Sequence, residues 1–398
     1  MDWRHARALC FVSVLMFAAA CAPPERGTAG RGAVLYVANA TDRTVTRLDA
    51  ASGRSVGPPI AIAHTPAFLV AGSDGRFLAA TPPGVIEGAA TLVTVDTQGH
   101  ATTRPLPLGS AAQILFAAGD GRSSAALVYR PWEGEGPSRR SGGCRLAVVD
   151  LAAAALTHTY ELCQPGEEPT GLALPSGAGN ALAYVGMWRS GSPGSARSGE
   201  AGAGTSTGGS IVEVDTASGA RRTVVALEGA PGLLSGSRST PPSTPSPAAM
   251  GGRLCFVETV PGPLRPAQDW RDVDPVITRW RLIVLDTGSR GVAAVYPLPF
   301  PPLALDLSAG QQEAYVLGHE DSPTRTTLLA GVDLTSGAMG RPFRLRGTGL
   351  SLAVSGEVVF VPNAAGAEVW AVNLPKHQLE RSVPAGRQPV AVAIGASG

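Results

Sequence analysis

Few residues of this chain have the types and spacing that catalysis or metal binding requires. The sequence contains no nucleophile elbow, phosphate-binding loop, zinc-ligand spacing or paired catalytic carboxylates in the context that each needs. His64 and His319, with Glu258 and Glu320, offer imidazole and carboxylate groups that could hold a divalent metal if the fold brought them together. We expect no cofactor, and a metal site formed by these four residues is the alternative.

Tryptophans next to arginines form a second set of candidates, because an aromatic ring beside a guanidinium suits stacking on sugars, peptides or ring compounds. The candidate ligand-binding residues are Arg130, Trp132, Trp188, Arg189, Trp270, Arg271 and Asp272. The alternative is that the tryptophans only cover the ends of strands as packing.

Cysteine positions predict one disulfide. Cys144 and Cys163 lie symmetrically about the turn LAAAAL at 151–156, so they should face each other across a hairpin. In an oxidising compartment such a pair forms a disulfide, although a strained cross-strand geometry would leave it reduced. Cys255 lies within an apolar strand and is expected to be a buried small hydrophobic residue.

The elements that carry these residues are short strands repeated seven times. Each unit has a β-rich run that ends in an acidic or amide residue, often followed by a tight turn such as DAASG or DTASG, and a second run lies upstream of it. The seven anchoring residues are Asp49, Asp96, Asp150, Asp215, Asp286, Asp333 and Asn373. Seven four-stranded units predict an all-β, seven-bladed β-propeller with almost no helix.

The motifs YVAN, AYVG and VPN resemble the YVTN-type propeller repeats of bacterial and archaeal extracytoplasmic proteins. The resemblance covers roughly residues 33–398 and implies a propeller at the cell surface. It also implies, as an alternative, a lactonase- or lyase-like enzyme that acts at the mouth of the channel.

The chain begins on the second strand of a blade, LYVAN, and finishes on a first strand, PVAVAIG. The last strand should therefore complete the first blade, which places Gly398 near Gly32 and removes an exposed sheet edge.

Connections alternate between the two faces of a propeller, and the long ones all fall on one face, which we call the long-loop face. The insertions are residues 131–143, 187–209, 230–247, 260–279 and 318–327. Loops on a rigid scaffold often form binding surfaces, so we expect this face to bind a protein, peptide or glycan. The alternative is neutral drift of surface loops that tolerate insertion.

The N-terminus has the features of a secretory signal. Arg4 and Arg7 precede an apolar run at 8–20 that is too short to span a bilayer, and the small residues before Cys21 resemble a bacterial lipoprotein signal. We expect a signal at 1–21, lipidation of Cys21, a flexible segment at 22–32 and a propeller at 33–398. Cleavage after Ala20 with an incidental cysteine is the alternative.

Composition limits the partners. Charged residues make up 16% of the chain and the net charge is +1, which disfavours nucleic acid as a partner. We also expect a monomer, and the N-terminal signal predicts that it lies at the cell envelope, outside the cytoplasm, held to the membrane by an N-terminal lipid.

Overall fold

The computed structural model describes fourteen segments of the chain, and every structural statement below concerns them. They are residues 32–72, 75–81, 89–96, 100–109, 112–120, 123–133, 140–174, 182–189, 208–228, 230–231, 253–260, 279–308, 312–320 and 326–396. All regular elements in these segments are β-strands, as the sequence predicts.

The strands of the first part of the chain are β1 (Ala33–Asn39), β2 (Thr44–Asp49), β3 (Ile60–Ala61), β4 (Phe68–Ala71), β5 (Arg76–Ala80), β6 (Ala90–Val95), β7 (Ala101–Pro105), β8 (Ala112–Gly119), β9 (Ser124–Glu133), β10 (Arg140–Ser141), β11 (Arg145–Asp150) and β12 (Ala155–Glu161). The next are β13 (Glu167–Ala173), β14 (Leu182–Arg189), β15 (Gly208–Asp215), β16 (Arg221–Leu227), β17 (Ala230–Pro231), β18 (Arg253–Val260), β19 (Arg279–Asp286) and β20 (Gly291–Leu298). The last are β21 (Pro302–Leu307), β22 (Glu313–His319), β23 (Thr326–Asp333), β24 (Phe343–Arg346), β25 (Ala353–Ser355), β26 (Val358–Asn363), β27 (Glu368–Asn373), β28 (Gln378–Pro384) and β29 (Pro389–Ala396).

These strands form seven antiparallel sheets, which are the seven blades of the predicted propeller. The pairing orders, from blade 1 to blade 7, are β29-β1-β2-β3, β4-β5-β6-β7, β8-β9-β11-β12, β13-β14-β15-β16, β17-β18-β19-β20, β21-β22-β23-β24 and β25-β26-β27-β28. Blade 3 has an additional two-residue strand, β10, which pairs with the end of β9.

The ring closes through the two ends of the described chain. β29 pairs with β1, with Ala396 opposite Ala33 and Val392 opposite Val37, so the last strand completes the first blade as predicted. Gly398 lies outside the described residues. Neighbouring blades contact one another around the whole circle near their first strands.

Burial follows position within a blade. The second and third strands, such as β1 and β27, are buried on both faces and read as continuous apolar runs, because other blades cover both sides of each sheet. Outer strands face solvent, and all five residues of β7 are exposed.

Three turns between the third and fourth strands share one geometry. In each turn the anchoring aspartate accepts a hydrogen bond from a serine N–H three residues later, and the next residue is a glycine with φ of 72–75°. The aspartates are Asp49, Asp215 and Asp333, and the glycines are Gly53, Gly219 and Gly337. A Cβ at any of these glycines would lie within 2.8 Å of a side chain of the preceding blade, so both conformation and packing require glycine.

Cys144 and Cys163 form the predicted disulfide, with a Cα–Cα distance of 5.2 Å. The register that predicted it is wrong, however. A β-bulge at Val148/Val149 shifts the pairing of β11 with β12, and the backbone of Cys144 bonds first to Leu162. The disulfide therefore forms just beyond the ladder and avoids the directly opposed position.

Two smaller findings complete the comparison of the fold with the sequence predictions. His158 lies within β12 opposite Val148, because the hairpin turn is confined to 151–154. Cys255 is buried in β18, and burial raises the pKa of its thiol to about 12.

Among the segments that the structure describes, no helix is long and apolar enough to cross a membrane.

Candidate functional site

Four of the predicted ligand-binding residues lie at the ends of the second strands of blades 3 and 4, on the long-loop face. Arg130 and Trp132 belong to β9, while Trp188 and Arg189 end β14. We call these four residues, together with Glu167 and Glu168 of β13, the Arg–Trp rim. Its members come from two adjacent blades, so the packing of one sheet on the next determines their relative positions.

An ion pair between Arg130 and Glu168 joins the two blades at this rim. Glu168 lies directly opposite Trp188 in the β13–β14 ladder, so the pair is next to the indole in register. The side chain of Arg130 is 20% exposed, and that of Glu168 is 56% exposed. One polar group of this pair is therefore accessible to solvent while the other is held against the blade.

Glu167 holds two arginines. Its carboxylate accepts from Nη2 of Arg189 at 3.0 Å and from Nη2 of Arg221 at 3.0 Å, and it also accepts from the N–H of Gln164 at 2.9 Å. Burial raises the pKa of Glu167, but the backbone bond and the two guanidinium groups outweigh it, so the pKa lies below its usual range. Glu167 therefore stays ionised and keeps Arg189 in place, although that side chain is 55% exposed.

Trp132 has a polar group that its surroundings do not satisfy. Its indole N–H is buried and finds no hydrogen-bond partner among the described residues, whereas buried tryptophan N–H groups usually have one. Ser141 of β10 is its opposite residue in the sheet.

Of the four residues of the metal alternative only His319 and Glu320 are neighbours in sequence, and each of the four bonds to another protein group. His64 precedes blade 2 and its Nε2 lies 3.0 Å from Oγ1 of Thr91. His319, at the end of β22, donates from Nε2 to the carbonyl of Gly349 at 3.0 Å, and Glu320 pairs with Arg344 at 2.9 Å.

Glu258 of blade 5 is the fourth residue of that set, and it is almost wholly buried. Arg281 donates to it from Nε at 2.9 Å and from Nη2 at 2.7 Å, and also reaches the exposed Glu228 at 3.0 Å. In the described part of the chain, no three histidine, cysteine or acidic residues form a group that could hold a metal ion.

The two histidines favour the neutral form. Burial lowers the pKa of His64 and of His319, and the backbone carbonyls near each ring offset this effect only in part. Trp270, Arg271 and Asp272, also predicted to bind a ligand, lie outside the described residues, as does Cys21.

Sequence reasoning missed Glu167 and Glu168, the acidic partners of the rim. Their signal is the pair of glutamates directly before Pro169 at the start of a first strand. Acidic side chains at that position extend toward the strand ends of the preceding blade, where Arg130 lies.

No protein-family model matches the chain, and no curated protein sequence matches it. Solved structures do match over most of its length. A protein of unknown function from Desulfotomaculum acetoxidans has a TM-score of 0.58 at 11% identity, covering 92% of this chain and 99% of that chain. A Bacteroides uniformis protein provisionally assigned as a 6-phosphogluconolactonase has a TM-score of 0.54 at 11% identity, with the same coverage of 92% and 99%.

Apo AztD from Citrobacter koseri is similar as well, with a TM-score of 0.50 at 14% identity over 91% of this chain and 98% of that chain. At identities this low, such likenesses support the propeller fold and say nothing of ligand or reaction.

Proposed function

We propose that this protein is an extracytoplasmic binding scaffold that takes a protein, peptide or glycan ligand on the Arg–Trp rim of blades 3 and 4. One observation carries the proposal: two predicted pairs of arginine and tryptophan, at least 56 residues apart in sequence, lie at one junction of blades on strand ends. Both guanidinium groups are held by carboxylates, and the two tryptophans belong to the same strand ends, so the surface is preorganised for stacking and hydrogen bonding.

The proposal includes secretion and a lipid anchor on Cys21, with the propeller related to the YVTN-type repeat proteins. The disulfide supports it, because such bonds persist mainly in oxidising compartments. Mass spectrometry of the mature N-terminus tests the anchor: an acylated cysteine is expected, and an unmodified N-terminus at any other residue would contradict it.

The lactonase- or lyase-like alternative gains no support from the described residues. His64, Glu258 and His319 belong to different parts of the ring and are each bonded to a different protein group. We therefore do not extend the proposal to an enzymatic activity.

Binding to the rim is tested on peptide arrays and glycan arrays with the purified protein. We expect the ligands of the wild type to be lost or weakened at least tenfold in Arg189→Ala and in Trp188→Ala. Arg344→Ala is the matched control, because Arg344 makes an exposed ion pair of the same kind with Glu320 on the long-loop face of blade 6. Equal loss in the control, or no loss in either rim variant, would refute the rim as the binding site.

A further inference from the structure

The three equivalent turns described above place one residue of each blade in the same position. Two residues after the turn glycine, the chain re-enters the sheet opposite the residue before the anchoring aspartate: Ser55 faces Leu48, Arg221 faces Val214, and Met339 faces Val332. Each of these side chains therefore lies on the side of its blade that faces the preceding blade.

In two of the three junctions this side chain fills the space between blades. Arg221 donates from Nη1 to the carbonyl of Leu162 at 2.6 Å and from Nη2 to Glu167, so it spans the junction of blades 3 and 4. Met339 packs against the apolar cluster between blades 5 and 6, as Tyr296 does.

The third junction, between blades 7 and 1, has Ser55 at this position, and its hydroxyl turns back to the carbonyl of Gly57 at 2.8 Å. An open groove of about 470 Å³ lies there. Its lining comes from blade 1 and from the end of blade 7, and consists of Asp42, Thr44, Thr46, Leu48, Gly53, Ser55, Pro59, Pro384, Ala385 and Gly386. Its volume is within the range of small-ligand sites.

The groove contains hydrogen-bond acceptors above an apolar floor. Thr44 and Thr46 each accept a bond from Nδ2 of Asn39, which leaves both hydroxyl oxygens with a further lone pair. Asp42, 25% exposed, is bonded to the backbone and the guanidinium of Arg387. At the junction of blades 3 and 4 a carboxylate in a different position, Glu167 at the start of β13, binds two arginines, so one carboxylate at a blade junction can hold a second guanidinium in this fold.

The backbone of the groove also matches that of the filled junction. Leu162 is the first residue after β12 and donates its N–H to Cys144, the residue before β11. Ala385 is the first residue after β28 and donates in the same way to Ala367, the residue before β27. The carbonyl that receives Arg221 in one junction thus has a counterpart, that of Ala385, in the open one.

We propose that the groove between blades 7 and 1 binds the arginine side chain of a peptide segment of a partner protein. The methylenes of that side chain pack on Leu48, Pro384 and Ala385, and its guanidinium reaches Asp42 and the Ala385 carbonyl. The site is independent of the Arg–Trp rim, which lies at another junction of the ring.

The experiment uses the full chain in detergent and titrates it with the peptide Ac-Gly-Arg-Gly-NH2, followed by amide NMR shifts. We expect saturable shifts at Thr46, Gly53, Ser55 and Gly386. The same peptide with citrulline, a neutral isostere of arginine, should bind at least tenfold more weakly, and Asp42→Asn should remove most of this preference. Equal binding of the two peptides to the wild type, or no saturable shift at these amides, would overturn the proposal.

Two substitutions of Ser55 provide the matched controls. Ser55→Arg restores the arginine that blade 4 has and should abolish peptide binding by occupying the groove from within, while raising the melting temperature. Ser55→Ala leaves the groove open and should keep wild-type affinity. If Ser55→Arg is folded by thermal denaturation and still binds the peptide, the groove is not the site. Neither result depends on Arg189 or Trp188, so failure here and failure of the rim are distinguishable.

Discussion

At the scale of single residues, Glu258 shows how far this fold buries a charge. Only 1% of its side chain is exposed, and its carboxylate receives two hydrogen bonds from Arg281. Taking a carboxylate out of water costs several kcal/mol, which the guanidinium offsets by bonding to it directly. Arg281 is itself shared with the exposed Glu228, so it connects the buried charge to the surface.

Removal of the Arg281 side chain should therefore lower the stability of the protein strongly. We expect Arg281→Ala to lower the free energy of unfolding by about 3–5 kcal/mol, because it leaves Glu258 charged and buried without this partner. Arg344→Ala, which breaks an exposed pair, should cost at most about 1 kcal/mol. Chemical denaturation of both variants measures the contrast, and equal losses would contradict it.

Two half-buried histidines, His64 and His319, give a pH dependence of stability. The folded-state pKa of His64 and of His319 lies below the unfolded value of 6.5, so the unfolded chain binds more protons in between. Stability is then complete above pH 6.5 and falls as the pH drops through that value toward the folded pKa. Protonation of the carboxylates whose pKa values are lowered, such as Glu167 and Asp49, reduces the stability of the fold only near and below pH 4.5.

Denaturation between pH 5 and 7.5 isolates the histidine contribution. We expect the wild type to lose stability toward pH 5, and His319→Gln to show a smaller loss because one titrating group is gone. The comparison variant is His100→Gln, which removes an exposed histidine and leaves His64 and His319 in place. If the free energy of unfolding of His319→Gln varied with pH as steeply as that of the wild type, burial of His319 would have no effect on its protonation.

At the scale of elements, the disulfide anchors the connection that carries much of the candidate site. Cys163 is followed directly by Gln164, which bonds to Glu167 through its N–H and to Arg189 through its side chain. The bridge between residues 19 apart therefore restrains the segment that supplies the acidic half of the Arg–Trp rim.

Removing the bridge should reduce stability by about 3 kcal/mol, the value expected from closing a loop of this length. The double variant Cys144→Ala, Cys163→Ala tests this by denaturation, with the reduced wild type as a second sample. Ligands of the Arg–Trp rim, once identified, should also bind more weakly to the double variant than to the oxidised wild type. A stability equal to that of the oxidised wild type would refute the role of the bridge.

The sequence reveals the elements more fully than the contacts between them. Anchors such as Asp49 and Asp333 predict their turns because an aspartate, a serine and a glycine at set spacings suffice for that geometry. The pairing of Arg130 with Glu168 could not be read in the same way, since it depends on how two blades pack and not on local spacing. The β-bulge at Val148/Val149 was missed for a related reason: nothing in the apolar run LAVVD marks it.

Asn39 connects blade 1 to the chain that follows blade 7, and its substitution should weaken this contact. It is fully buried, donates to Thr44 and Thr46, and accepts the N–H of Gly386 from blade 7 at 3.0 Å. Asn39→Ala leaves that N–H without its partner, so we expect a loss of about 2–3 kcal/mol. Asn363→Ala is the comparison: its Oδ1 has no partner among the described residues, so the loss should be smaller by denaturation.

At the scale of the whole molecule, stability depends on pairing the two ends of the described chain. β29 forms a ladder with β1 over the length of both strands. It also contacts β25 and β4, the first strands of blades 7 and 2. Without β29, the edge of β1 would be exposed together with apolar residues such as Leu35 and Val37, which the structure buries.

Deletion of residues 389–398 should therefore give an unfolded or aggregated product. A circular permutant that joins Ala396 to Ala33 by a short linker and opens the chain between blades 3 and 4 should stay monomeric and folded, because those ends already pair. Size-exclusion chromatography and thermal denaturation measure both variants. A soluble, cooperatively melting deletion variant would contradict the dependence on ring closure.

The place of β29 also has a consequence for biosynthesis. Blade 1 stays incomplete until β29 has been synthesised, because β1 is made long before its partner strand. A chain terminated before β29 lacks the strand that would protect the edge of β1, so we expect it to be a substrate for proteases.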